Sequence, residues 1–188
     1  MTAVAAAGTG VSAHRYDEYL HASRIAIAPE RIRIEVSLTP GMAVADAVIR
    51  DIDANHDGVL SETERRTYGE RLLGGLSLRV DAAVVPLTLT ASTFPPAGAL
   101  RGGDAAITLV IDAPVARMAN GAHRLAFRNV NTSHGAVYLA NALLPDDDHV
   151  AITGMTHAVD QSVLTVAYTV RPMRSWSQRV LDLFTRRT

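Results

Sequence analysis

The chain has 188 residues, 48% of them hydrophobic, and its 18 basic and 19 acidic residues leave a formal charge of -1 at neutral pH. That length and apolar content suffice for one folded core, and the balanced charge carries no electrostatic footprint for a nucleic-acid partner. With no cysteine, disulfides, thiolate metal sites and cysteine nucleophiles are all excluded.

In chain order, residues 2 to 13 are small, apolar and uncharged, and they end Gly-Val-Ser-Ala before His14. Val11 and Ala13 satisfy the small-residue rule of a signal-peptidase site, although a basic leader and a leucine-rich stretch are missing. The expectation is a signal-peptide remnant or a disordered alanine-rich tail over 1–13, and an exported, secreted or periplasmic protein. Residues 24 to 28 and 31 to 38 flank Pro29-Glu30, and Ile32, Ile34, Val36 and Leu38 alternate with polar residues in period two. This predicts a hairpin with one face on a core.

Pro40-Gly41 then breaks the extended pattern, and Val44, Val48, Ile49 and Ile52 recur at helical spacing. A second helix is predicted over 62 to 73, with Tyr68, Leu72 and Leu73 on one face and Gly74-Gly75 as its stop. Between the two helices, residues 53 to 64 read Asp-Ala-Asn-His-Asp-Gly-Val-Leu-Ser-Glu-Thr-Glu. Ca²⁺ is a hard cation that takes six to eight oxygens, so a short loop holding it must turn sharply and present alternate side chains. Asp53, Asn55 and Asp57 stand at loop positions 1, 3 and 5, and Gly58 supplies the bend at position 6. Val59 at position 7 offers a backbone carbonyl, Leu60 an anchor to the core, Ser61 a direct or water-mediated ligand, and Glu64 a bidentate carboxylate. His56, at position 4, is expected to point outward.

Residues 42 to 74 therefore resemble the EF-hand family, and the metal-ligand set the motif implies is Asp53, Asn55, Asp57, Val59, Ser61 and Glu64. Such hands normally occur in pairs, whereas this chain has one loop; Asp146-Asp147-Asp148-His149 lacks the glycine and the distal glutamate and reads as a solvated turn. An Asp/Asn-rich turn opening a capped helix without metal would look similar. Three ligating carboxylates suit a dissociation constant of roughly 10⁻⁵ to 10⁻³ M.

Beyond the loop, apolar or alternating runs at 76 to 80, 84 to 91, 106 to 111, 123 to 130, 136 to 144, 149 to 154 and 163 to 170 are separated by turn-forming clusters, notably 94 to 98 and 101 to 104. Eight or nine short strands argue for a mainly β fold, an immunoglobulin-like β-sandwich over 14–172, with the helix–loop–helix at about 42–74 inserted after the second strand. Residues 173 to 188 place Trp176, Val180, Leu183 and Phe184 on one helical face, with Arg174, Arg179, Arg186 and Arg187 elsewhere. A basic amphipathic helix of this kind suits peripheral contact with an anionic membrane, or docking on the sandwich itself.

His14 to Leu20, the loop, and Val137 to Pro145 are together similar to uncharacterised secreted bacterial proteins and to the extracytoplasmic domains of hydrogenase/urease-accessory-type membrane proteins. The similarity implies export and no particular activity. The function expected is a calcium-binding module in which Ca²⁺ orders a non-catalytic surface for an unknown protein partner. Two alternatives stay open. If cleavage follows Ala13, the amine and imidazole of His14 could chelate copper together with His21, His123, His134 or His157, resembling copper-carrier sandwiches that begin with histidine. A hydrolase is the other: neither Gly-x-Ser-x-Gly nor His-Glu-x-x-His occurs, and the adjacent carboxylates of Asp17 and Glu18 would diverge on a strand, yet carboxylates from separated strands could still pair.

Overall fold

A computed structural model describes residues 17–146 and 148–172. The two termini, with His14 and the amphipathic segment 173–188, lie outside the described residues. Within them the protein is mainly β, with ten strands in two sheets and three helices.

β1 (Tyr19–Ala28) and β2 (Arg31–Pro40) form the hairpin that the alternation predicts, paired antiparallel in unbroken register from Tyr19↔Pro40 to Ala28↔Arg31. Their inward faces carry Ile25, Ile27, Ile32, Ile34, Val36 and Leu38, all buried. Both strands run beyond the expected ends. The reason on β1 is that Tyr19, His21 and Ser23 also face inward, so polar residues sit where apolar ones would have revealed the pattern.

The chain then turns through Gly41 into α1 (Met42–Ile52), which buries Val48, Ile49 and Ile52, each side chain contributing roughly 1.5–3 kcal/mol over exposure. α2 (Glu62–Gly74) follows the loop and buries Tyr68, Gly69 and Leu72. After it come β3 (Leu76–Val80), β4 (Ala83–Val85), β5 (Thr88–Thr93), a short α3 (Ala97–Arg101), β6 (Ile107–Pro114), β7 (Gly121–Asn129), β8 (Ala136–Ala142), β9 (Val150–His157) and β10 (Val163–Val170).

The first sheet has the order β5-β6-β2-β1-β8 and the second β4-β3-β7-β10-β9. Pairing is antiparallel except between β1 and β8, which run parallel from Tyr19↔Ala136 to Ile25↔Ala142. The sheets enclose one core, to which the first gives Ile34, Leu109 and Ile111 and the second gives Leu78, Phe127, Leu164 and Val166. Val48, Ile52, Leu60 and Tyr68 belong to the same cluster, so the helix pair and its loop are part of the core and not an appendage.

Two expectations change. Residues 84 to 91 are not one strand: β4 belongs to the second sheet and β5 to the first, and the break falls at Pro86-Leu87, where proline has no N–H to give a ladder. Residues 97 to 101, which overlap the expected turn clusters 94 to 98 and 101 to 104, form α3, whose buried Leu100 ties it to the core.

Candidate metal centre

α1 and α2 deliver the twelve loop residues as a tight turn. His56 and Gly58 both take positive φ, 60° and 81°, which bends the chain back around Asp53. Asp53 as a residue is only 6% exposed, and its carboxylate accepts hydrogen bonds from the backbone N–H groups of Asp57 (3.2 Å, Oδ1) and Gly58 (2.9 Å, Oδ2). Asn55 Oδ1 accepts from Asp57 N at 3.0 Å, and its Nδ2 donates to Asp57 Oδ2 at 2.9 Å. The other Asp57 oxygen accepts from Val59 N at 2.8 Å. Val59 is exposed, His56 is exposed, and Leu60 is buried in the core, as loop positions 4 and 8 require.

Glu64 reaches back across the turn. Its Oε1 accepts from Ala54 N (2.9 Å) and Asn55 N (3.3 Å), and its Oε2 accepts from Ser61 N (2.9 Å) and Ser61 Oγ (2.7 Å). The Ser61 hydroxyl accepts in turn from Glu64 N, so Ser61 and Glu64 form a capping box at the start of α2. These bonds, the Ser61 hydroxyl foremost, hold the Glu64 carboxyl below its usual range.

The donor set is all oxygen, and three of its members are carboxylates, the chemistry Ca²⁺ selects. Among the described residues none of Asp53, Asp57 and Glu64 has an arginine or histidine in ion-pair contact. A buried carboxylate is normally paired or metal-bound, and Asp53 has only two backbone N–H groups. The donors fit the ion in kind. They are not drawn together as a centre: among the described residues no group of three His, Asp or Glu is placed to hold a metal. Glu64 and Ser61 are engaged with each other and with the loop backbone, and Asp57 with its own neighbours.

Behind the loop lies a network that sequence patterns did not reveal. Asp51, outside the coordinating positions of the loop, meets His134 Nε2 through its Oδ2 at 2.8 Å and Arg71 Nη2 at 3.7 Å. The Arg71 guanidinium sits 4.9 Å from the Tyr68 ring centroid, and the Tyr68 and Tyr19 hydroxyls are 2.9 Å apart in the core. The network joins α1, α2, β1 and the β7–β8 connection; apart from Tyr68 and Arg71 within α2, its contacts span 20, 49 and 83 positions, so no local pattern signals it.

The histidines proposed for copper have other partners. His21 is buried beside Asn129, His123 contacts Asp81 and Ala119, His134 contacts Asp51, and His157 Nε2 donates to Ala140 O at 2.8 Å. Asp17 and Glu18 lie just before β1, outside the sheet.

The fold and the loop together define a mainly β protein of two sheets whose helix–loop–helix stands between the second and third strands. Searched against protein-family models, curated proteins and solved structures, the chain matches none.

Proposed function

We propose that this protein is an exported, non-catalytic calcium-binding module in which Ca²⁺ at Asp53, Asn55, Asp57, Val59, Ser61 and Glu64 orders the helix pair and the protein-binding surface beside it. The observation that carries the reading is Asp53, a buried acidic residue without a basic partner among the described residues, at the head of a loop that presents two further carboxylates. The motif spacing and the bend at Gly58 support it. Calcium would supply the positive charge that these carboxylates lack, and its role is structural, because the loop is anchored to the core through Leu60. An opening hand would need that anchor to be released.

Chelator-stripped protein heated across a calcium titration tests the reading. Binding to the native state alone stabilises by about 2.7 kcal/mol at a hundred times the dissociation constant, or roughly 5–10 °C in Tm for a chain of this size. The rise should come with Ca²⁺, be weaker with Mg²⁺, and be lost in Glu64→Gln. A rise with Cu²⁺ alone would favour the copper reading, with His14 the next residue to change. Contact of residues 173–188 with an anionic membrane is part of the proposal and is read from the sequence alone.

A further inference from the structure

At the end of the sandwich away from the helix pair, His123 on β7 stands where three separate segments meet. Its Nδ1 lies 2.8 Å from Asp81 Oδ2, in the turn between β3 and β4, and its Nε2 lies 2.8 Å from the carbonyl oxygen of Ala119, in the connection between β6 and β7. Its ring stacks on Tyr168 of β10, with centroids 5.6 Å apart and planes 28° from parallel. Both neighbours of the ring nitrogens are acceptors. A neutral imidazole carries one N–H and can satisfy only one of them; an imidazolium satisfies both.

Asp81 is not the missing donor. The N–H of Arg124 donates to its other oxygen, Oδ1, at 2.9 Å, and the His123 contact and this bond together hold its carboxyl below the usual range. We infer that His123 is a pH-sensitive clasp, an imidazolium in the folded protein that fastens the β3–β4 turn to the 115–120 segment and opens when its proton leaves. The charged and titratable groups around it are few. Asp81 faces it from the β3–β4 turn. Tyr168 faces it from β10, a neutral phenol whose hydroxyl is 3.0 Å from Met118 Sδ, and burial pushes its ionisation up. Arg124 follows it on β7 and so points to the opposite, exposed face. In the 115–120 segment Arg117 is paired with Glu30 at 3.6 Å. Arg79 of β3 gives its guanidinium to Ala82 O in the β3–β4 turn at 2.8 Å. Among the described residues His123 is the ion-pair partner of Asp81, and the two acceptors raise its pKa above the ordinary histidine value.

The clasp also closes one end of a shallow groove of about 440 Å³ lined by Val84, Val85, Pro86, Val115 and Met118. Asp81, with φ of 53°, sits in a left-handed turn that its carboxylate helps fix by bonding across to β7. Loss of the Asp81 or the Ala119 contact therefore unlinks the 115–120 segment from the β3–β4 turn, which keeps its own bonds to Arg124.

The test is carried out on the full chain. Nitrogen-detected NMR of labelled histidine should show both His123 ring nitrogens protonated at pH 6, with a midpoint above 6.5, and Asp81→Asn should bring that midpoint down. Hydrogen exchange of amides 115–121, compared at matched intrinsic rates, should accelerate at least tenfold above the midpoint in the wild type. In His123→Gln it should be fast at every pH. If the Gln variant unfolds, the Asp81→Asn midpoint and the wild-type exchange profile still decide. A single protonated nitrogen at pH 6, a midpoint at or below 6.5, or exchange in 115–121 indifferent to pH would each overturn the clasp.

Discussion

Asp53 is stripped of solvent to 6% exposure and has two backbone N–H groups but no cationic partner among the described residues. Asparagine at that position keeps one oxygen acceptor and removes the charge. Asp53→Asn is therefore expected to stay within about 1 kcal/mol of the wild type in chelator, because a buried unpaired charge is relieved as a bond is weakened. In calcium the same variant should show no rise in Tm, while Asp146→Asn, in a solvated turn, should respond as the wild type does. Equal responses from the two variants would place the metal elsewhere.

His21 makes a second prediction at this scale. Asn129 Oδ1 accepts from Asn131 N and Asn131 Nδ2, so the Asn129 amide nitrogen is left to donate to His21 Nδ1 at 3.3 Å. The neutral ring then carries its proton on Nε2, which is buried without an acceptor among the described residues, and the ring lies edge-on to Tyr19 with centroids 4.5 Å apart. Burial lowers the His21 pKa to about 4. The unfolded chain takes up this proton first as pH falls, so stability drops between about 6.5 and 4, by on the order of 3 kcal/mol if the site does not rearrange. Urea midpoints measured across that range should fall in the wild type and flatten in His21→Leu, whatever the variant's absolute stability. The loop residues were legible because metal chemistry fixes residue type at fixed offsets. The His21–Asn129 pair was not, since its partners are 108 positions apart.

At the scale of elements, α2 depends on its ends. It buries only Tyr68, Gly69 and Leu72, so capping carries an unusual share of its stability. At the front, Ser61→Ala removes both the cap and the hydroxyl bond to Glu64, and it should cost about 1–2 kcal/mol in thermal unfolding even in chelator. At the back, Asn131 Nδ2 donates to Leu72 O at 2.9 Å, and a Cβ on Gly75 would stand 2.3 Å from Asn131 Oδ1. That amide is already fixed to Asn129 and cannot swing away freely. Gly75→Ala should destabilise by more than Gly74→Ala, whose Cβ meets nothing, and matched denaturation curves would check the order. The same reasoning explains Gly69 within the helix: its Cβ would come within 3.0 Å of Leu89 Cδ2, so the missing side chain lets α2 lie close against β5.

Both long helices were readable, because their apolar residues recur at three and four positions and glycine follows α2. α3 was not, since five residues among prolines and glycines carry no period. The division of 84 to 91 between two sheets was also hidden, because a strand that changes sheets and a strand with an internal proline are written alike.

For the whole molecule, the two inward histidines act in opposite senses. His123 has a raised pKa, so the stability it contributes is complete below the unfolded value near 6.5 and is lost as pH rises through its folded value. His21 contributes in reverse, losing stability on the acid side. Strand content and the place of the helix pair after β2 were legible from alternation and spacing. Sheet order was not, because pairing between distant strands is written in no local pattern.

The parallel seam between β1 and β8 governs how the chain reaches this state. β2 can close on β1 through a two-residue turn as soon as residue 40 exists, yet the other edge of β1 finds its partner only when residues 136 to 142 arrive. Until then an early hairpin has an unsatisfied edge, with Leu20 and Ala22 on its outer face, open to any extended strand nearby. Closing a loop of more than a hundred residues is a late event in folding, and the span before it is when this protein is most exposed to mispairing with its own copies.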